Sequence, residues 1–482
     1  MVGGKDESTI EGYAECLAKL YGTHSLKLGL ERTKLLSECF GNPGDTYKTV
    51  HVAGTNGKGS VSHKISMCLK MRNYKVGLFT SPHVFSIRER IKVNDECISQ
   101  EDFVSLVKDV WRKAEECNIK PTFFEIITTV AFLFFKRKKV DYAVVETGIG
   151  GRLDATNILK KPEVVVITSI GYDHQQLLGY QLHSICEEKI GIIKEGTNVV
   201  IGPSVSIYKS VFNRAKELNC VVTIVPPEPR GESFDQENTR IATEALNILK
   251  VNVSSDPILK TVVCLKPPLR MQYLAIEQIE HVRKKLFPST GMFTHESGMA
   301  SGTSLPMTVI LDVGHNETAI DRLCQDVNYF HKGKAIRVCV SATRPRSLAI
   351  FQPLVAHFQG FLKDVFYLPS LNERTYDFGE VSNMLKIDEQ ISADLRGFLL
   401  RSAEKVTSWL EGAGKGDSSP GGNLYTRGTI PLIVKNAFLE CCKDNSILLI
   451  CGTFFMFEEV LPVFDIHSDL QDPIPMNEPS SN

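Results

Sequence analysis

The sequence lacks any apolar run long enough to cross a bilayer. The longest, residues 447–457, is interrupted by Gly452 and Thr453 and falls well short of the roughly 20 apolar residues a spanning helix needs. It lacks an excess of either charge, with 55 Lys and Arg against 56 Asp and Glu, so neither a nucleic acid nor a membrane is an expected partner. CxxC pairs are missing as well. The 13 cysteines are scattered singly, as at Cys16, Cys39, Cys68 and Cys97, apart from the neighbours Cys441 and Cys442, which reads as a reduced, cytoplasmic chain with small thiols in its core. The opening MVGGKDESTI has no basic flank followed by an apolar core, so no signal peptide is expected, and no internal repeat is present.

What is present is a regular alternation. At 482 residues and 43% hydrophobic content the chain can bury two or three cores. Short β-branched runs at 49–53, 75–79, 141–146, 164–168, 198–201 and 221–225 are separated by helix-length segments, which predicts βαβ units and a mostly parallel sheet flanked by helices. Val61, Ile65, Cys68 and Leu69 predict a helix over 60–72. A second set of strands at 308–312, 336–341, 365–368 and 446–451 predicts a smaller, Rossmann-like α/β domain. Glycines and serines in 289–306 place the boundary there, giving domains 1–303 and 304–482, and the Gly-rich 411–428 reads as an insertion.

The strongest chemical signal is HVAGTNGKGS at 51–60. A strand ends at Ala53, Gly54, Gly57 and Gly59 let backbone amides approach an anion, and the following helix turns its positive end to the same point. Lys58 would reach terminal phosphates and the Ser60 hydroxyl would coordinate magnesium. The spacing departs from G-x-x-x-x-G-K-[ST], because Gly54 is too close to Gly57 and Gly59 separates Lys58 from Ser60; a plain tight turn is the competing reading. Glu146 and His174 each follow a strand end, the position where open α/β sheets collect ligands, against the alternatives of a solvated glutamate and a structural histidine. Lys189, on composition alone, reads as an exposed helix residue.

GTNGKGS resembles the phosphate loop of the Mur ligase superfamily, in the spelling of its folylpolyglutamate and dihydrofolate synthase branch. LGLERTKLL, TSPHVFSIRERIKVN, ETGIGGRLDATN, ITSIGYDHQQLLG and EKIGIIKEG resemble further family motifs in the family's order. The resemblance implies an ATP-dependent ligase that joins L-glutamate to dihydropteroate or to folates through an acyl phosphate. It implies ATP contacts at Gly54, Thr55, Asn56, Gly57, Lys58, Gly59 and Ser60, and at Asn238, Arg270, Asp312 and His315, the last two contributed by the second domain. It implies two magnesium sites drawing on Ser60, Glu146 and His174, with Lys189 carbamylated to an anion, and catalytic roles for Lys58, His174 and Lys189. Phe124 resembles a pterin-pocket residue, whereas Phe132, Phe134 and Phe135 read as core. Arg152 and Asp154 match the branch that accepts dihydropteroate, and Thr453 resembles a hydroxyl residue near the incoming glutamate. A monomer is expected.

The chain departs from the family's usual DGAHNP and PGR, reading DVGHNE and PLR, and shows no Lys-Asp pair near SATRPRS. Competing readings are a P-loop kinase or GTPase-like NTPase, a nucleotide-binding relative without turnover, and a cell-wall Mur ligase.

Overall fold

The computed structural model describes residues 7–23, 27–228, 231–286, 307–413 and 429–473. The chain divides into two compact units, one formed by Met1–Pro267 with Leu470–Asn482, the other by Pro268–Asp469. Residues 289–306, where the sequence suggested a boundary, and all but the first three of 411–428, where it suggested an insertion, lie outside the described residues.

The first unit is built on an eight-stranded sheet. Its strands are β1 (Lys48–Ala53), β2 (Val76–Phe79), β3 (Ile91–Val93), β4 (Glu96–Cys97), β5 (Tyr142–Glu146), β6 (Val164–Ile167), β7 (Asn198–Ile201) and β8 (Val221–Ile224). Their spatial order is β4-β3-β2-β5-β1-β6-β7-β8. From β2 to β8 all pairings are parallel, and β3 and β4 add an antiparallel edge. The parallel strands are continuous apolar runs because both faces are covered. Val50, Val52, Val144 and Val166 pack with Val61, Ile65 and Leu69 of the helix Lys58–Met71 on one side. Ala53, Val165 and Ile167 pack with Ile190 and Ile193 on the other.

β1 lies between β5 and β6, with Val52 level with Glu146 and Ala53 level with Ile167. The loop leaving β1 therefore opens at the carboxyl edge, flanked by the ends of both neighbours. The β3–β4 hairpin was not anticipated. Its strands are too short and polar to show alternation, and its signal is the Asn94-Asp95 pair, with φ of 51° and 67°, as a two-residue primed turn requires.

The second unit carries a five-stranded sheet in the order β12-β11-β13-β10-β9. The strands are β9 (Gln272–Tyr273), β10 (Thr308–Asp312), β11 (Ile336–Ser341), β12 (Leu362–Tyr367) and β13 (Ile447–Gly452). All pairings are parallel except β9 with β10. Ile310, Val338, Val340, Leu449 and Cys451 share a core with Leu323, Phe351 and Leu395. Among the described residues no helix is long and apolar enough to cross a membrane.

Candidate active site at the carboxyl edge of the first sheet

Four residues turn the chain from β1 into the helix Lys58–Met71. Gly54 has φ 152°, and a Cβ there would sit 1.9 Å from Thr168 Oγ1; Gly57 caps the helix with φ 84°. Both positions need glycine for conformation and for space. The segment following β6 braces the loop. Thr55 N donates to Ser169 O at 2.8 Å, Asn56 N to Ser169 Oγ at 2.9 Å, and Thr168 Oγ1 to Asn56 O at 2.7 Å. Thr55 Oγ1 donates to Gly171 O and accepts from Gly171 N, both at 3.0 Å. The loop is held in shape by its neighbour, so its amides and the positive helix end are fixed before any anion arrives. Lys58 folds back, with Nζ 3.0 Å from Gly54 O and 3.1 Å from Thr55 O.

Glu146 is buried at the end of β5, and a Cβ on Gly59 would meet its Oε2 at 3.4 Å, which sets the carboxylate against the turn that carries Ser60. Ser81 N donates to Glu146 Oε2 at 3.1 Å. No group of three or more His, Cys, Asp or Glu side chains forms a cage among the described residues. Magnesium bound with a nucleotide does not require one, since it keeps waters and takes one or two protein ligands beside the phosphates. A buried carboxylate next to a hydroxyl at a helix N-terminus fits that demand. His174 caps the short helix Gln175–Leu178 at φ 50°, with Nε2 3.9 Å from Asp173 Oδ2.

Lys189 corrects the reading from composition. It is 3% exposed, its Nζ donates to Gly54 O at 2.9 Å, and burial, reinforced by Lys58, lowers its pKa to about 7. The helix Leu182–Ile190 packs its Ile185, Cys186 and Ile190 face on the sheet, and Lys189 falls on that face. A lysine in EEKIGIIK gives no sign of this, because the polar residues around it mask the stripe.

Phe124 is half-buried, whereas Phe132, Phe134 and Phe135 lie in the core, as expected. A Cβ on Gly148 would lie 2.5 Å from Phe124 Cζ and 3.1 Å from Asp154 Oδ2, so aromatic ring and carboxylate converge on one glycine. Asp154 is engaged by its own loop, accepting from Ile149 N at 2.9 Å, Thr156 N at 3.0 Å and Thr156 Oγ1 at 2.6 Å. Burial raises its pKa and these donors oppose the rise. Thr156 has spent its proton on Asp154, so the 2.8 Å contact with His51 Nε2 runs from the ring to the hydroxyl. Burial lowers His51 to about 3, which keeps that ring neutral. Arg152 is exposed and pairs with Glu188 at 2.7 Å. Asn238, 3% exposed, reaches the loop, and its Oδ1 has no hydrogen-bond partner among the described residues and would lie 2.3 Å from a Cβ on Gly57.

The second unit gathers the remaining expected residues at the ends of β10 and β13, which pair with Asp312 level with Cys451. Asp312 accepts from Met271 N at 2.7 Å and Gly314 N at 2.6 Å, with its pKa raised by burial. The Arg270 guanidinium lies 5.6 Å from the Phe454 ring centroid, and the His315 ring 6.1 Å from it. Thr453 caps the short turn Phe454–Met456. Leu269 holds φ 58°, so the backbone at the PLR departure keeps a conformation that glycine adopts without strain. Ser81, Thr168, Ser169 and His51 were not singled out from sequence. Their contributions are a backbone amide, small hydroxyls and one buried imidazole, which no residue pattern marks.

The Mur ligase middle domain family matches residues 52–254. The chain is 32% identical over 376 residues to the dihydrofolate synthase/folylpolyglutamate synthase of Bacillus subtilis, covering 74% of this chain and 86% of that protein. It is 35% identical over 216 residues to the dihydrofolate synthetase of Saccharomyces cerevisiae, covering 44% of this chain and 51% of that protein. The fold matches that of E. coli FolC in complex with DHPP and ADP, with a TM-score of 0.67 at 24% identity over 94% of this chain and 97% of that one. A bifunctional folylpolyglutamate synthase/dihydrofolate synthase with Mn, AMPPNP and L-glutamate bound matches with a TM-score of 0.67 at 22% identity, over 94% and 98%.

Proposed function

The chain belongs to the dihydrofolate synthase/folylpolyglutamate synthase family, and from that premise we propose that it ligates L-glutamate to dihydropteroate, and to folates, at the expense of ATP. The observation that carries this reading is the meeting of three features at one sheet edge: the braced loop 54–60, the buried Glu146 beside Ser60, and the buried Lys189 hydrogen-bonded to Gly54.

A carboxylate is a poor electrophile. Its oxygen attacks the γ-phosphorus of ATP, ADP leaves, and the amine of glutamate then displaces phosphate from the acyl phosphate and loses a proton. Lys58 swings from the Gly54 and Thr55 carbonyls to the γ-phosphoryl oxygens, and the amides at the start of the helix, from Gly57 on, hold the β-phosphate. Magnesium, when bound, neutralises charge between the phosphates; Ser60 and Glu146 would hold it, and His174 with a carbamylated Lys189 would serve a second ion. A lysine near pKa 7 holds enough neutral amine to add carbon dioxide. Phe124 and Asp154 are assigned to the pterin pocket, with Arg152 at its exposed margin. Asn238, Arg270, Asp312 and His315 are assigned to the nucleotide and Thr453 to glutamate. The first unit thus carries the phosphate loop and the pterin pocket, and the second contributes further nucleotide contacts and the glutamate subsite. A cytosolic monomer is proposed, in keeping with the free cysteines.

The test is an amide-formation assay with dihydropteroate, dihydrofolate and tetrahydrofolate as acceptors. Dihydropteroate should support glutamate-dependent ADP release with an amide product of matching mass. Acceptance only of folates that already carry glutamate would leave polyglutamylation alone, and ADP release without amide would point to an NTPase.

A further inference from the structure

Asp472 belongs to the short segment that returns to the first unit after the second is complete. Although it follows hundreds of residues behind its partners, it is 9% exposed. Oδ1 accepts from Tyr13 Oη and Ser86 Oγ, both at 2.7 Å, Oδ2 accepts from Ile87 N at 2.8 Å, and its own N–H donates to Phe85 O at 2.9 Å. Tyr13 is fully buried, so these donors have no water to fall back on. Removing the acceptor leaves each of them unsatisfied.

The loop so clamped is the connection from β2 to β3. Thr80 N donates to Arg90 O at 3.1 Å and closes its base. Glu89 takes the amides of Val84, Phe85 and Ser86 at 3.0, 2.8 and 2.8 Å. Arg90 Nε donates to His83 Nδ1 at 2.9 Å. At its other end, Ser81 N holds Glu146 Oε2. Amides 84 to 86 are satisfied within the loop, amide 87 by Asp472, and amide 81 by the carboxylate that faces the phosphate loop. One rigid turn therefore joins Asp472 to Glu146.

We propose that Asp472 is a positioning residue for Glu146, acting through the 80–90 loop to hold that carboxylate in the orientation that accepts a nucleotide-bound divalent cation. The inference rests on the reading of Glu146 as a cation ligand. Partners of metal-binding side chains commonly account for about 10–100-fold in metal affinity. Asparagine at 472 keeps the shape but aims an N–H₂ at the hydroxyls or at Ile87 N, so it fails electrostatically without leaving a hole.

Mn²⁺ binding in the presence of a non-hydrolysable ATP analogue is titrated by electron paramagnetic resonance in wild type, Asp472→Asn, Asp472→Ala and Glu146→Ala. Amide hydrogen exchange over 80–90 is followed in the same samples. The expected result is faster exchange at Ser81, Phe85 and Ile87 together with Mn²⁺ affinity about 10-fold weaker in both Asp472 variants. Faster exchange with unchanged affinity means a merely structural clamp and overturns the proposal, as does unchanged exchange. Unchanged affinity in Glu146→Ala overturns it together with the cation site. A wild type that binds Mn²⁺–nucleotide but forms no amide sinks the ligase reading alone, because the titration does not depend on turnover.

Discussion

Lys58 rests on the carbonyls of Gly54 and Thr55, a position that a nucleotide phosphate would take over. In the proposed reaction its charge would count most as negative charge redistributes over the γ-phosphoryl oxygens, so Lys58→Ala should lower turnover roughly 100-fold or more at saturating ATP. Single-turnover ADP release measures this, and an unchanged rate removes Lys58 from the chemistry. Lys189 gives a second test. If it works as a carbamate, Lys189→Arg should be as damaging as Lys189→Ala, and acetate should restore part of the activity to the alanine variant only. Full activity in Lys189→Arg would contradict the carbamate. The amine also has a stability signature. Its folded-state pKa, about 7, lies below the ordinary 10.5, so its stabilising contribution is fully present above about 10.5 and is lost as pH falls through about 7. The melting temperature of wild type relative to Lys189→Met should therefore rise from about pH 6 to about pH 9, and a flat difference would show an unperturbed lysine. Lys58 was legible in the sequence because a lysine inside a glycine turn has few other uses. Lys189 was legible only through resemblance, since its burial depends on which face of a nine-residue helix meets the sheet.

At the scale of elements, the phosphate loop is a strand–turn–helix unit whose shape is enforced from β6 rather than by the loop itself. Gly54→Ala meets two obstacles, the φ of 152° and the Thr168 hydroxyl 1.9 Å from the new Cβ. The backbone term alone is about 1–3 kcal/mol, so affinity for an ATP analogue should fall about 10-fold or more by calorimetry. Adding Thr168→Ala should recover only part of it, because it relieves the contact and leaves the φ. Full recovery would show that crowding alone sets the need for glycine. The parallel strands were readable as buried β-branched runs, and their carboxyl ends pointed to the candidate site. The brace was not readable: Thr168 and Ser169 are ordinary strand-end residues until β6 is known to lie beside β1.

For the whole molecule, two sets of strands in sequence correctly announced two sheets, but not that the chain returns to the first unit at Leu470. Asp472 sits in QDPIPM, a stretch without periodicity that the sequence reading did not single out. Its partners Tyr13 and Ser86 precede it by 459 and 386 residues, a separation that has a consequence for synthesis. On the ribosome the first unit emerges early, but the acceptor for Tyr13, Ser86 and Ile87 is made only after the about 200 residues of the second unit, a delay of about 10–40 s at ordinary elongation rates. During that interval the 80–90 loop has its inner hydrogen bonds and lacks its outer clamp. Stalled nascent chains ending at Asp469 should be cut within 80–90 by a protease that spares the released full-length protein; equal resistance would show that the loop closes without its last partner. The chain thus closes this loop only after its second unit has been made.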